Sequence, residues 1–299
     1  MPALVAGVPI HKAQCPLIGR AGTSPAMTIE QETPMPDTHE IYAIRYGHHP
    51  RRSPANFIDG DPHDVLQPLD FFVWAIKGPS GVIVVDTGFD AAMAARRQRQ
   101  MVKPVGEGLL ALGIAPETVE TVIVSHLHYD HCGNYDLFPR ARYHLQDCEM
   151  AYATGRCMCH QALRLPFEAE DVVAMVRKVF AGRVAFHDGT HEIVPGVSLH
   201  HIGGHSKGLQ SVRVKTRRGH VMLASDATHL YAHVDGGRVF PITYNVAEVV
   251  EGYETLKRLA TSPRHIVPGH DPLVLARYPA AGPGLEGWIA RLDVDPTDG

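Results

Sequence analysis

The sequence predicts a layered α/β body. Apolar β-branched strands alternate with stretches of helical composition, and two hairpin-rich sections interrupt them. No apolar run approaches the roughly 20 residues of a membrane span, and no short period repeats.

Ordered sequence begins at residues 40–46, where the strand alternation first appears. Residues 47–68 are rich in Pro, Gly, Asp and His and read as a long loop. Loops beyond about 12–15 residues are usually functional, so this one is a candidate pocket wall. Residues 70–76, a Gly78-Pro79-Ser80-Gly81 turn and residues 82–86 make a hairpin, closed by Asp86-Thr87-Gly88. Residues 91–100 have helical composition, and Glu120-Thr121-Val122-Ile123-Val124 reads as a buried strand. Helical signals return at 145–153 and 171–180; strand-like pieces follow at 184–186, 197–202, 210–215 and 220–224. Asn245 caps a helix through Ala260, with Glu248 completing a capping box. A last strand, 265–267, runs into Pro268-Gly269-His270-Asp271.

Residues 1–37 carry Pro2, Pro9, Pro16, Pro25, Pro34 and Pro36. They predict a flexible amino-terminal extension ahead of a single domain over 38–299. The prolines also break the apolar core a signal peptide needs, so a cytoplasmic location is expected.

Composition narrows the function. The 299 residues are 44% hydrophobic and 20% charged, with net charge −4 and scattered Lys and Arg. That lacks the basic footprint of a nucleic-acid binder, and neither nucleic acid nor membrane is expected as a partner. Five cysteines do not form a disulfide framework. Cys157-Met158-Cys159-His160 is one residue too tight for a C-x-x-C clip, so free thiols are expected. His48-His49 and His200-His201 are expected in loops or on strand surfaces.

The chemistry concentrates in Ser125-His126-Leu127-His128-Tyr129-Asp130-His131, directly after the 120–124 strand. Alternate residues of an extended segment share a side, so His126 and His128 can grip one ion together. Asp130 and His131, past the break of the strand, are free to face a second. Two ions need more donors, sought where strands yield to glycine-bearing loops. Ile202-Gly203-Gly204-His205 offers His205, Leu223-Ala224-Ser225-Asp226 offers Asp226, and Pro268-Gly269-His270 offers His270.

With these segments in hand, the chain resembles the metallo-β-lactamase superfamily across residues 40–275. The resemblance lies in Val85-Asp86-Thr87-Gly88, the His-Leu-His-Tyr-Asp-His run, Gly203-Gly204-His205, Ser225-Asp226 and Pro268-Gly269-His270. It implies an αββα sandwich, two mixed sheets flanked by helices, with a dinuclear site along one sheet edge. It implies one metal site of His126, His128 and His205, and another of Asp130, His131 and His270. Asp226 would bridge them, and Asp86 would orient ligands from behind. Imidazole and carboxylate donors suit two zinc ions, with iron, manganese or cobalt as other divalent candidates.

A hydroxide held between two such ions is a nucleophile at neutral pH, since one zinc lowers the pKa of bound water to about 7. Asp130 could then carry a proton to the leaving oxygen. Asp226 stands where zinc β-lactamases place cysteine, which counts against antibiotic hydrolysis. His128 stands where oxygen-reducing flavo-diiron relatives place glutamate. Too little chain follows His270 for a glyoxalase-type helical domain, and the acidic balance argues against transfer-RNA nucleases. The wording is most similar to the N-acyl-homoserine lactonases, with Tyr129 in place of their usual phenylalanine.

Those lactonases carry a tyrosine three residues after the bridging aspartate, whose hydroxyl assists the substrate carbonyl. This chain has His229 there and Tyr231 nearby, so either could take that role or both could merely line the loop. Phe71, Phe72 and Trp74 are expected pocket walls. The expected activity is metal-dependent opening of a lactone ring, as in quorum quenching, on a small-molecule lactone or ester. The alternatives are a promiscuous esterase or phosphotriesterase on the same metals, or an enzyme like the mononuclear iron persulfide dioxygenases. A homodimer is compatible with the sequence.

Overall fold

In the computed structural model, which describes residues 38–297, strands from two sheets deliver their ends to one edge. The first sheet has β1 (Glu40–His49), β2 (Leu69–Gly78), β3 (Gly81–Val85), β4 (Gln100–Met101) and β5 (Thr121–Ile123). It is completed by β6 (Arg142–Gln146), β7 (Val184–His187) and a late strand at Ile289–Arg291. That late strand borders β1, and the order continues β2, β3, β5, β6, β7, with the short β4 against β1. Pairing is antiparallel through β1, β2 and β3 and parallel from β3 through β7. The second sheet contains β8 (His191–Val194), β9 (Val197–His201), β10 (Gln210–Thr216), β11 (Gly219–Ser225) and β12 (Ile266–Pro268). It runs β12, β11, β10, β9, β8, with only β11–β12 parallel. The expected mixed sheets are present.

Alternation of side chains along the strands sorts the core into three layers. Ile41, Ala43, Phe72, Trp74 and Ile76 of the first sheet meet Val197, Leu199, Val212 and Leu223 of the second in the middle. On its outer face the first sheet is covered by α1 (Ala91–Arg96), α2 (Val105–Ala111), α3 (Asp147–Ala153) and, after a short α4 (Gln161–Arg164) that buries no residue, α5 (Ala169–Phe180). The second sheet's outer face carries α6 (Tyr231–Gly236) and α7 (Val246–Leu259), with Val249, Tyr253 and Leu256 packed on Met222 and Ala224. A last helix, α8 (Leu273–Arg277), sends Val274 into the middle layer. Helix, sheet, sheet, helix is the expected sandwich. No helix among the described residues is long and apolar enough to cross a membrane.

Local details depart from the sequence reading. β1 runs three residues into the expected loop because Gly47 and His48 pair with both β2 and β4. The helix expected from residue 145 starts at Asp147, since Leu145 and Gln146 finish β6 against Phe186 and His187. α2 went unforeseen because two of its seven residues are glycines, poor helix formers. Gly108 is there for space, as a Cβ would lie 2.2 Å from Ile44 Cγ2. The expected extension over 1–37 lies outside the described residues.

Two expected pocket walls are corrected. Phe72 and Trp74 are wholly buried between the sheets, whereas Phe71, one residue out of phase, faces the opposite side. The period of two was legible; which face was the inner one was not. Trp74→Ala is therefore expected to cost about 3–5 kcal/mol of stability in denaturant unfolding, as large-to-small core changes do. It should leave the ranking of substrates by kcat/KM as in the parent chain.

Candidate metal centre

Five strand ends build the site, and each turns where a side chain must reverse direction. β3 ends in Asp86, held at φ 64. Its Oδ1 accepts from Ser125 N at 2.7 Å, and its Oδ2 faces Ser125 Oγ at 2.9 Å and His131 Nδ1 at 2.7 Å. A conformation this rare for a non-glycine residue is kept by those bonds. They fix His131 with Nδ1 toward the carboxylate, which leaves Nε2 for the site.

β5 ends at Ile123 and opens into the His126–His131 run. Beyond β9, Gly204 adopts φ +81, and a Cβ there would meet Val249 N at 2.6 Å, so only glycine lets His205 swing inward. The turn is tied to α7 in an unexpected way. Asn245 caps the helix through Ala247 N and Glu248 N as expected. The box is not closed, however, because Asn245 N donates to Gly204 O, and Glu248 accepts from Asn245 Nδ2 at 2.8 Å and Gly204 N at 3.0 Å. β11 ends in Ser225 and Asp226, and β12 leads through Gly269 to His270. A Cβ on Gly269 would come 2.8 Å from Asp226 Oδ1.

The seven residues converge. His126, His128, His205 and Asp226 form one buried group within metal-sharing distance, and Asp130, His131 and His270 form a second. Asp226 stands between them. Its Oδ2 lies 3.1 Å from His205 Nε2 and 3.8 Å from His126 Nε2, while its Oδ1 lies 2.8 Å from His270 Nε2 and 3.3 Å from His131 Nε2. Asp130 Oδ2 sits 3.7 Å from His131 Nε2 and 3.8 Å from His270 Nε2. His128 Nδ1 and His205 Nε2 face each other at 2.9 Å, and the wholly buried His126 Nε2 has no hydrogen bond. Imidazole nitrogens aimed at a common point without proton partners fit a divalent ion.

The electrostatics agree. Burial pushes His126 and His128 well below the usual imidazole range, and the imidazoles crowded around them add to it, so both stay neutral, the form a metal ligand requires. Burial alone would raise Asp226, yet His229, His270, His131 and His205 outweigh it and hold the carboxyl well below its ordinary value. For His131 burial alone would lower the pKa, and Asp226, Asp130 and Asp86 reverse the sign.

Other supports had no signal in the sequence. Glu149 of α3, fully buried, accepts from Leu127 N at 2.9 Å, Ser206 Oγ at 2.6 Å and Gly208 N at 2.8 Å, clamping two ligand loops together. Asp70 and His270 exchange backbone contacts, and Asp70 O holds His270 Nδ1 at 2.9 Å. Tyr46 Oη donates to Asp130 O at 2.5 Å.

A cavity of about 330 Å³ opens over the group, and its apolar lining includes Phe71, Leu69 and Phe240. His229 lines it too, stacked on Phe240 at 3.7 Å with Nε2 3.1 Å from Asp226 Oδ2. Tyr231 does not line it. Its ring lies under Arg277 at 4.1 Å and borders a separate cavity with Asp235 and Tyr278. α6 begins at Tyr231, whose N donates to Asp271, and this turns the side chain away. His49 and Arg51, from the segment expected as a pocket wall, do reach the cavity. His48 instead pairs with Asp70 at 2.7 Å, and His200 and His201 belong to β9. Cys132, Cys148, Cys157 and Cys159 are free thiols.

Such a sandwich, with its donors at the sheet edge, is the architecture of one superfamily. The model of the metallo-beta-lactamase superfamily matches residues 65–277, and the chain belongs to that family. Among curated proteins it is similar to an N-acyl homoserine lactonase of Bacillus cereus, 28% identical over 180 residues. That match takes in 55% of this chain and 66% of the relative, just under two thirds of its length. It is also similar to the N-acyl homoserine lactonase AiiB of Agrobacterium fabrum, 32% identical over 132 residues, covering 41% and 45% of the two chains. Among solved structures, an N-acyl homoserine lactone hydrolase with N-hexanoyl-L-homoserine at its catalytic metal centre shares the fold. Its TM-score is 0.65 at 22% identity, over 78% of this chain and 93% of that one.

One histidine beside the site supplies a pH test. His233 Nδ1 accepts from Leu230 N at 3.1 Å and its Nε2 donates to Asn56 O at 2.9 Å, so the folded ring is neutral. Burial above all lowers its pKa from 6.5 to about 4. Protonation therefore favours the unfolded chain, and the contribution is lost as pH falls from 6.5 to about 4. The Tm of metal-free protein is expected to fall over that window. It should fall less steeply in His233→Gln, which can bond similarly without titrating.

Proposed function

We propose that this chain is a dinuclear metal hydrolase that opens a lactone ring of the N-acyl-homoserine lactone kind. The observation that carries the reading is the split of Asp226, one oxygen toward His205 and His126, the other toward His270 and His131. In this assignment His126, His128 and His205 hold one ion, Asp130, His131 and His270 the other, and Asp226 both. All-nitrogen-and-oxygen donors favour zinc over softer-ligand metals, with iron, manganese and cobalt next. Two divalent ions supply Lewis acidity and a water that ionises near neutral pH. The lactonase relatives support the substrate class.

The protein's own part is positioning and proton handling. Asp86, Ser125 and the Asp70 carbonyl lock imidazole tautomers so that no reorganisation is needed during reaction. Phe71 and Phe240 present apolar walls that exclude water from the reacting bond. His229 lines the cavity beside Asp226 and is assigned as donor to the substrate carbonyl oxygen as charge develops there. That role falls to His229 rather than Tyr231, whose ring borders the other cavity. Asp130, lining the cavity, is assigned to take the proton given up by the attacking water and pass it to the ring oxygen as the acyl C–O bond breaks.

Turnover of a lactone panel by metal-loaded protein, followed by acid release, tests this reading. Ring opening with two metal equivalents per chain is expected. Phosphotriester or thioester cleavage with no lactone activity would overturn the substrate assignment. Asp226→Asn is expected to lose bound metal and to lower kcat/KM by orders of magnitude, and wild-type turnover in that variant would refute the ligand assignment.

A further inference from the structure

The cavity lining also carries cations. Arg51, Arg96, Arg97 and Arg99 all line it. Two of them share one carboxylate: Glu168 lies 2.8 Å from Arg96 and 2.6 Å from Arg97. The other two have none of their own. Among the described residues no carboxylate pairs with Arg51 or Arg99. Arg51 spends Nη2 on Ala55 O and lies 5.1 Å over the Phe240 ring. Arg99 gives Nε to Tyr129 Oη at 2.9 Å and Nη1 to Arg97 O at 2.7 Å. Among the described residues no hydrogen-bond partner takes up Nε and Nη1 of Arg51 or Nη2 of Arg99.

The two guanidinium groups are also close enough to oppose each other. Burial first, and then Arg99, lower the pKa of Arg51. The neighbouring His49 is lowered to about 4 by burial, Arg99 and Arg51, and its buried Nδ1 has no hydrogen bond. Two half-buried cations with no counter-charge are unfavourable on their own and become favourable when an anion joins them. Arginine is the side chain suited to carboxylates, through its planar fork of donors. The position suits a substrate as well. Phe240, beneath Arg51, stacks on His229, and His229 touches Asp226. A group held by Arg51 and Arg99 thus belongs to a molecule whose other end lies over the metal ligands.

We propose that Arg51 and Arg99 seat a carboxylate on the substrate, so that among lactones and esters this site favours those whose acyl part ends in an anionic group over those whose acyl part is neutral. The proposal rests on the hydrolase reading above for the word substrate, but the seat itself is a binding property.

Binding is therefore measured apart from turnover. Metal-loaded protein is titrated calorimetrically with succinate, glutarate and adipate, each against its monocarboxylate of equal length. At least one diacid is expected to bind about tenfold to a hundredfold tighter, the worth of a charge-assisted hydrogen bond. Arg51→Gln and Arg99→Gln should each remove most of that advantage, with metal content and Tm confirming intact protein, and Arg51→Lys should keep part of it. In turnover, the kcat/KM ratio of a carboxylated lactone to a neutral one of equal size should fall in the same variants. No advantage for any diacid, or one that survives both glutamine variants, would overturn the seat. A diacid advantage without turnover of any lactone or ester would instead overturn the hydrolase reading and leave the seat standing.

Discussion

Everything at the sheet edge is arranged around the buried carboxylate of Asp226. A carboxylate taken from water is costly unless opposite charge or strong donors surround it. Here imidazoles approach from both sides, at 3.1 Å from His205 and 2.8 Å from His270. Those histidines come from different loops, after β9 and β12, and His126 and His131 come from a third, after β5. The two sheets must therefore be stacked in register for a single side chain to meet all of them. The apolar middle layer, with Trp74 and Phe72 wholly buried, supplies that register, and the polar edge uses it.

A second tier of carboxylates holds the first. Asp86 fixes Ser125 and His131, Glu149 ties the His126–His131 run to the turn after His205, and Glu248 ties that turn to α7. Each accepts from at least one loop N–H that would otherwise lack a partner. The consequence is rigidity where chemistry needs it. Glycines stand where the ligand loops pass closest to neighbouring chain, as at Gly204 and Gly269.

How much of this was legible depended on sequence distance. His126, His128, Asp130 and His131 are neighbours in the chain, and their spacing alone announced metal. His205, Asp226 and His270 were found because each follows an apolar strand at a turn. Glu149 carries no such mark: a glutamate in a short helix reads as solvent-facing until the fold shows what it holds. Arg51 and Arg99 lie on either side of the first hairpin, and only β1 pairing with both β2 and β4 brings them to one wall. Trp74 shows the limit of periodicity: the sequence reading set it with Phe71 and Phe72 on the pocket wall, and only the fold shows that Phe72 and Trp74 lie between the sheets. The capping box at Asn245 was half right, because tertiary demand from Gly204 took both groups that would have closed it.

The central claim is that one carboxylate spans two ions. Crystals of the metal-loaded protein, measured at the absorption edge of the bound metal, test it most directly. Two anomalous peaks are expected, one beside Asp226 Oδ2 with His126, His128 and His205, the other beside Oδ1 with Asp130, His131 and His270. A single peak, or two that leave Asp226 outside their coordination, would contradict the account.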